Sequence, residues 1–295
     1  MKTIRLGTRP SRLAMAQTEM VANSIRKLGY SVEIVKYLSE GDSDLRSPLY
    51  SIGKTGVFVD RINALILSGE IDAAVHSAKD IPYTIDERLQ ISAVMPRGPF
   101  EDALVSDMPL SMMPPGSTIG TSSLRRKYQI LYQRSDLKVV NLRGNIDTRI
   151  EKMKTEGMAG MVMALAAIER LHLDVRYWPI DPEKYVPAPN QGIIAVVSRK
   201  GSEASDILSR INDSATYRDM MVERTITQDL RLGCSTPVGI LSRSSGRGMR
   251  ILAQFFSMDG SDMIMFDQHI EDLHDIEDTV SYIRDNIPEE YGYNL

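Results

Sequence analysis

The sequence predicts an α/β protein made of two successive strand–helix series and closed by a small α+β domain. Three observations carry this expectation. Apolar runs of strand length alternate with amphipathic stretches of helical spacing; proline-rich segments interrupt that alternation twice; and from Ser214 a long helix gives way to strands and one last helix. Thr3–Gly7 reads as a strand, Ser11–Leu28 as a helix closed by Gly29, and Val32–Leu38 as a second strand. A Gly/Ser/Asp-rich stretch, Ser39–Gly56, precedes a helix over Val57–Leu67 and a short buried strand over Ile71–His76. That order implies βαβ units and a parallel sheet. Pro96, Pro99, Pro114 and Pro115 punctuate the passage to the second series. There Ala103–Ser106, Thr118–Thr121, Lys138–Leu142 and Gly160–Ala164 read as strands. Leu124–Arg134, Ile146–Glu156 and Leu165–Leu171 read as helices. A second passage near Tyr185–Gln191 leads to an apolar strand, Ile193–Val197. The last part reads as a helix over Ala215–Leu230, strands over Val238–Ser242, Arg250–Phe256 and Met263–Gln268, and an acidic helix near Asp275–Asn286.

Composition excludes several classes of protein. The chain has 295 residues, 42% of them hydrophobic, enough to build real cores and too apolar for disorder. With 35 Lys+Arg against 39 Asp+Glu the net charge is −4, which argues against a protein that holds nucleic acid by neutralising phosphates. No apolar run approaches the ~18–20 residues that span a bilayer. Met1–Arg5 is charged and lacks the apolar centre of a signal peptide, so a cytoplasmic protein is expected. The single cysteine excludes an internal disulfide, and four histidines without HExxH or CxxC spacing argue against a metal site.

The placement of arginines is more informative than their number. Ser122-Ser123-Leu124-Arg125-Arg126 sets two hydroxyls and two guanidiniums at a helix start, where cations oppose the helix dipole. A bound anion would make sense of this; a solvated helix start with surface arginines is the alternative. Asn141-Leu142-Arg143-Gly144-Asn145, with Arg149 further along the helix, and Gly7-Thr8-Arg9-Pro10-Ser11 repeat the theme. Ligands of open α/β sheets collect beyond the carboxyl ends of strands, where all three junctions belong. The expectation is a cleft for a polyanionic small molecule, carboxylate or phosphate.

Ala74–Pro82 ends a strand with His76, Ser77, Lys79 and Asp80. Asp80 beside Lys79 suits stabilisation of a cationic intermediate or proton exchange, or else a plain turn. His76, on an apolar strand, is expected to be a core histidine. Cys234, between Gly233 and Ser-Thr-Pro, sits on a loop with no neighbouring histidine to activate it. Gly53-Lys54-Thr55-Gly56 lacks the order of a phosphate loop.

Together these segments resemble the hydroxymethylbilane synthase (porphobilinogen deaminase) family. The resemblance rests on Thr8–Ala14, Val75–Pro82, Ile119–Arg126, Asn141–Asn145 with Arg149, Leu165–Leu171, Asn190-Gln191-Gly192 and Gly233-Cys234, in the family's order. It spans residues 3 to about 240. It implies two periplasmic-binding-protein-like α/β domains with a double crossover, plus a small C-terminal α+β domain. Domain 1 would be residues 1–96 and 192–212, domain 2 residues 99–189, and domain 3 residues 214–295. The family condenses four porphobilinogens head to tail, releasing ammonia each time, and frees hydroxymethylbilane by hydrolysis in tetrapyrrole biosynthesis. Its dipyrromethane cofactor is held by a thioether to the loop cysteine, here Cys234.

The resemblance also implies the roles of individual residues. Asp80 would stabilise the positive charge on the azafulvene-like species left when the amino group departs. Arg9, Arg125, Arg126, Arg143, Arg149 and Arg170 would bind acetate and propionate side chains, with Lys79, Ser11, Ser77, Thr121 and Ser123 assisting. Arginine forks suit carboxylates better than lysine point charges. Ser39–Gly56 matches the family's mobile loop. The implied protein is a cytoplasmic monomer without metal, membrane or nucleic-acid partners, passing its product to uroporphyrinogen-III synthase. Two features depart from the family pattern. Arg231-Leu232-Gly233-Cys234 lacks one glycine of Gly-Gly-Cys, and Gly53–Phe58 alters the loop motif along with the acidic pair after it. The alternative to an enzyme is a non-catalytic small-anion-binding protein of the same two-lobed architecture.

Overall fold

The structure is a computed structural model that describes residues 3–37, 57–233, 236–245 and 248–293. The loop expected at Ser39–Gly56, Gly53–Gly56 within it, and Cys234 lie outside the described residues. The chain begins with β1 (Thr3–Thr8), α1 (Arg12–Lys27), β2 (Ser31–Lys36), α2 (Val57–Ser68), β3 (Ala73–Ser77) and β4 (Leu89–Val94). Next come β5 (Asp102–Ser106), β6 (Thr118–Gly120), α3 (Leu124–Gln133), β7 (Lys138–Val140), α4 (Ile146–Thr155), β8 (Gly160–Ala164), α5 (Leu165–Arg170) and β9 (Tyr177–Pro179). Then follow β10 (Ile194–Arg199), α6 (Glu203–Ser209), α7 (Ser214–Asp229), β11 (Val238–Ser245), β12 (Gly248–Phe256), β13 (Met263–Ile270) and α8 (Ile276–Asn286). They form two compact units, Met1–Gly98 with Gln191–Met221, and Pro99–Asn190 with Val222–Leu295.

In the first unit the sheet order is β2-β1-β3-β10-β4. Strand β3 reads Ala-Ala-Val-His-Ser and its first four residues are buried, as an apolar run between two helical layers must be. Ala73 and Val75 face the core that holds Val21, Ala22 and Ile25 of α1. Ala74 faces the opposite core with Val59, Ile62 and Ile66 of α2, following the two-residue period of a strand. Helix α1 starts at Ser11, whose Oγ accepts from Ala14 N at 3.3 Å. It ends where Gly29 takes φ +89°.

The second unit repeats the pattern as β7-β6-β8-β5-β9. In both sheets the first three strands run parallel, and the fourth in spatial order is antiparallel to the third. That antiparallel strand follows the point where the chain passes between units: β5 after Gly98/Pro99, β10 after Asn190/Gln191. The chain thus crosses between the two units twice within residues 99–190 and their flanks. The sheets are therefore mixed, which corrects the expectation of parallel ones. The inserted strand enters from the other series, and local strand–helix alternation carries no trace of its direction. Strands β4 and β9 and helix α6 were not anticipated either: β9 is a three-residue edge strand ending in proline, and α6 only seven residues long.

The third sheet, β11-β12-β13, is antiparallel and belongs to the second unit. Its core joins Val222 and Ile226 of α7, and Leu230 just beyond it, to Phe255, Phe266 and Ile283. Gly239 lets this sheet approach the segment before the second crossing, since a Cβ there would lie 2.2 Å from the Val186 carbonyl oxygen. Gln129 Nε2 donates to Gln254 Oε1 at 2.6 Å, tying α3 to β12.

Candidate active site

In the first unit β1 and β3 are parallel, so their carboxyl ends share one edge of the sheet. Arg9 and Ser11 follow β1; Ser77 ends β3, and a short 3-10 turn over Ala78–Asp80 extends it. Ile194 opposes Ser77, so β10 begins at the same edge and Ile193 O accepts from Ala78 N at 2.9 Å. Ser77 Oγ exchanges hydrogen bonds with the buried amide of Gln17, at 2.9 and 3.1 Å. Lys79 Nζ donates to Gln191 Oε1 at 3.3 Å. Asp80 is exposed at the end of the turn. His76 is buried with Nε2 3.1 Å from Asn63 Oδ1. Burial, and secondarily the charge of Arg9, push its pKa down to about 4. The imidazole is thus neutral, with Nε2 against the Asn63 side chain, and is the core histidine the sequence suggested.

The second unit presents the matching edge. Strands β6, β7 and β8 are parallel, and the segments after their carboxyl ends carry Thr121 to Arg126, Arg143 to Arg149, and α5 with Arg170. Thr121 Oγ1 accepts from Ser123 N at 3.2 Å, and Ser123 Oγ from Arg126 N at 3.4 Å. Ser123 therefore caps α3, and Thr121 fixes the turn that leads into it. Gly144, at φ +118°, turns the chain into α4; a Cβ there would press on Thr148 at 2.9 Å. Strand β5 runs the other way, so Asp102, its first residue, lies at this edge opposite Ala164.

Asp102 organises two of the arginines. Its Oδ1 accepts from Arg126 Nη2 at 2.7 Å, and its Oδ2 lies 2.9 Å from Arg125 Nη1. Arg125 is 4% exposed and also donates to Gln129 Oε1 at 2.9 Å and to Val186 O at 3.0 Å. Arg126 Nη1 donates to Val162 O at 3.3 Å. Burial lowers the pKa of Arg125, with Asp102 opposing the shift. Arg149 is pushed down to about 10 by burial and then by the charge of Arg126. Its buried Nε finds no hydrogen-bond acceptor among the described residues. Burial also lowers the pKa of Arg170. A desolvated guanidinium with an unmet donor beside a second guanidinium fits an anion with several carboxylates.

The residues expected at the site thus fall into two groups. Arg9, Ser11, Ser77, Lys79 and Asp80 share the edge in the first unit; Thr121, Ser123, Arg125, Arg126, Arg143, Arg149 and Arg170 belong to the second. Gln17, Asn63 and Gln191 in the first unit, and Asp102 and Gln129 in the second, hold these side chains and were missed. Gln17, Asn63, Gln191 and Asp102 each pair with a residue distant in sequence, whereas Gln129 meets Arg125 one turn earlier on the same helix. Only the Asn-Gln-Gly segment around Gln191 gave a signal. Before Cys234, helix α7 ends in a Schellman turn: Leu232 N donates to Thr227 O, Arg231 N to Gln228 O, and Arg231 takes φ +49°. Among the described residues no group of His, Cys, Asp or Glu is placed to hold a metal ion. No helix there is long and apolar enough to cross a membrane.

Fold and edges together define an α/β protein of two compact units, the second of which gathers arginines at the carboxyl edge of its sheet. The comparisons with known proteins narrow this class. The family described as "Porphobilinogen deaminase, dipyromethane cofactor binding domain" matches residues 4–206. The chain is 76% identical over 295 residues, the whole of both chains, to a probable porphobilinogen deaminase of Thermoplasma acidophilum. It is 58% identical to that of Thermoplasma volcanium, covering 98% of each chain. It is 39% identical over 259 residues to the porphobilinogen deaminase of Rubrobacter xylanophilus, covering 87% of this chain and 85% of that one. The chain belongs to the porphobilinogen deaminase family. Among solved structures it is similar to the methionine-binding protein MetQ, with TM-score 0.46, 15% identity, and 73% and 92% of the two chains covered. It is also similar to a periplasmic substrate-binding protein from Coxiella burnetii, with TM-score 0.42, 12% identity, and 73% and 94% covered.

Proposed function

We propose that this chain condenses four porphobilinogens head to tail onto a dipyrromethane carried by Cys234 through a thioether, and releases hydroxymethylbilane by hydrolysis. The observation that carries this reading is Arg149, buried beside Arg126 with an unmet Nε donor. When bound, the dipyrromethane would supply a primer with a free, nucleophilic pyrrole carbon, held on Cys234. Each coupling breaks the aminomethyl C–N bond of the incoming unit and forms a C–C bond to a free pyrrole carbon, and the hydrogen displaced from that pyrrole carbon leaves with the nitrogen as ammonia.

The chain's own residues do the rest. Asp80 offsets positive charge developing at the pyrrole nitrogen and exchanges protons with it; its exposure keeps the carboxylate accessible to substrate. Arg9, Arg126, Arg143, Arg149 and Arg170 bind the acetate and propionate groups that accumulate with each addition. Arg125 supports them from beneath, its donors directed at Asp102, Gln129 and Val186. Lys79 orients through Gln191, Ser77 through Gln17, and Ser11, Thr121 and Ser123 set the helix starts where carboxylates dock. The reading includes the three-domain division, the C-terminal sheet being a domain of its own, and a cytoplasmic monomer that hands its product to uroporphyrinogen-III synthase.

The test is stoichiometry. Purified protein given porphobilinogen is expected to release one ammonia per substrate consumed and one hydroxymethylbilane per four. Tight binding of porphobilinogen without ammonia release would leave only a binding protein.

A further inference from the structure

We propose that Asp102 is a positioning residue of the deaminase site, fixing Arg126 in the orientation that receives a substrate carboxylate; this rests on the function proposed above. Asp102 is anchored through its own backbone. It pairs with Ala164 at the end of β8, and its carbonyl oxygen accepts from Ile180 N at 2.9 Å, so the residue is held from both neighbouring strands. Its side chain is 2% exposed, and its two oxygens serve different arginines, Arg126 at 2.7 Å and Arg125 at 2.9 Å.

The two arginines are not equivalent. Arg125 is tied to Gln129 and Val186 as well, and Val186 packs against the C-terminal sheet through Leu241 and Leu252. Arg125 therefore couples Asp102 to the body of the unit. Arg126 is less buried and lies close enough to Arg149 for its charge to be felt there. Three neighbouring guanidiniums repel one another, and one buried carboxylate lets two of them stay charged side by side while the edge remains net positive. A guanidinium held at one fork before substrate arrives loses less freedom on binding than one that swings in water. Each addition brings a further acetate and propionate, so that saving recurs along the growing chain.

The experiment compares wild type, Asp102→Asn, Asp102→Glu, Arg126→Gln and the Asp102→Asn/Arg126→Gln double variant as full chains. Asp102→Asn keeps size and removes charge. It is expected to raise KM for porphobilinogen at least tenfold with a smaller loss of kcat, and to have no further effect on KM in the Arg126→Gln background. Phenylglyoxal modification of Arg126, followed by tandem mass spectrometry of its peptide, is expected to run at least threefold faster in Asp102→Asn. Additive effects on KM, or unchanged reactivity of Arg126, would overturn the proposal. Should Asp102→Asn fail to fold, Asp102→Glu decides: it keeps the charge but moves the carboxylate by one methylene. A raised KM and faster modification support the proposal, and wild-type values for both overturn it. A wild-type chain that consumes no porphobilinogen counts against the parent reading alone, because the reactivity of Arg126 still tests whether Asp102 holds it.

Discussion

At the sheet edge of the first unit the group beside Arg9 is His76, an imidazole that burial keeps neutral and Asn63 holds in place. At the corresponding edge of the second unit the group beside Arg125 and Arg126 is a carboxylate, Asp102, buried between them. The strand order is the same in both sheets, yet the electrostatic designs are opposite. The first edge presents an exposed carboxylate, Asp80, together with the cations Lys79 and Arg9 and the neutral, hydrogen-bonded His76, Ser77 and Gln17. The second gathers desolvated guanidiniums, which attract an anion more strongly for being out of water. In the function proposed above, one fold would serve a developing cation at Asp80 in one unit and accumulating anions at the arginines of the other.

The largest effect that tests this contrast is on the first edge. Asp80→Asn should lower kcat by about 100- to 10,000-fold, with KM within a few-fold and the covalently bound mass retained; steady-state kinetics and intact mass check it together. Near-normal turnover would remove Asp80 from the chemistry. Next comes the neutrality of His76. Its folded pKa of about 4 lies below the ordinary value of 6.5, so its contribution is complete above pH 6.5. As pH falls from there toward 4, the unfolded chain takes up a proton that the folded one refuses, and about 3 kcal/mol of stability is lost. Urea unfolding across that window should lose this slope in His76→Gln.

Arg149 gives a smaller, two-sided effect on the second edge. Arg149→Met should stabilise the cofactor-free protein by roughly 1–3 kcal/mol, because a buried charge with an unmet donor is removed. In otherwise native protein it should raise KM about 10- to 100-fold, for loss of a charge-assisted hydrogen bond. Unfolding in a Cys234→Ala background separates the first effect from cofactor content. A destabilised Arg149→Met protein would mean that the guanidinium is structural. The smallest effect concerns the turn before Cys234. Arg231 holds φ +49°, so Arg231→Gly should stabilise by about 0.5–1 kcal/mol in thermal unfolding.

Much of this was legible in the sequence where the signal is local. Ser11 and Gly29 bracket α1, Ser123 caps α3, and the basic turns after β1, β6 and β7 all fall at strand ends as their spacing implied. What was not legible is what chain reversal and distant pairing create. Strands β5 and β10 look like any other apolar run, yet they enter their sheets antiparallel because the chain has just crossed between units. Asp102 reads as an ordinary acidic residue before Ala-Leu-Val until β5 sets it against arginines more than twenty positions away. Where Gly-Gly-Cys was expected, Leu232 is buried in the core of the C-terminal sheet, and the left-handed position of the Schellman turn falls on Arg231.

The most direct test of the central claim, that this chain carries its own primer on Cys234, is the intact mass of freshly purified protein with and without Cys234→Ala. The predicted result is an excess equal to two porphobilinogens less the ammonias lost on coupling, absent from the variant. A bare mass that persists after incubation with porphobilinogen, with no substrate consumed, would contradict it.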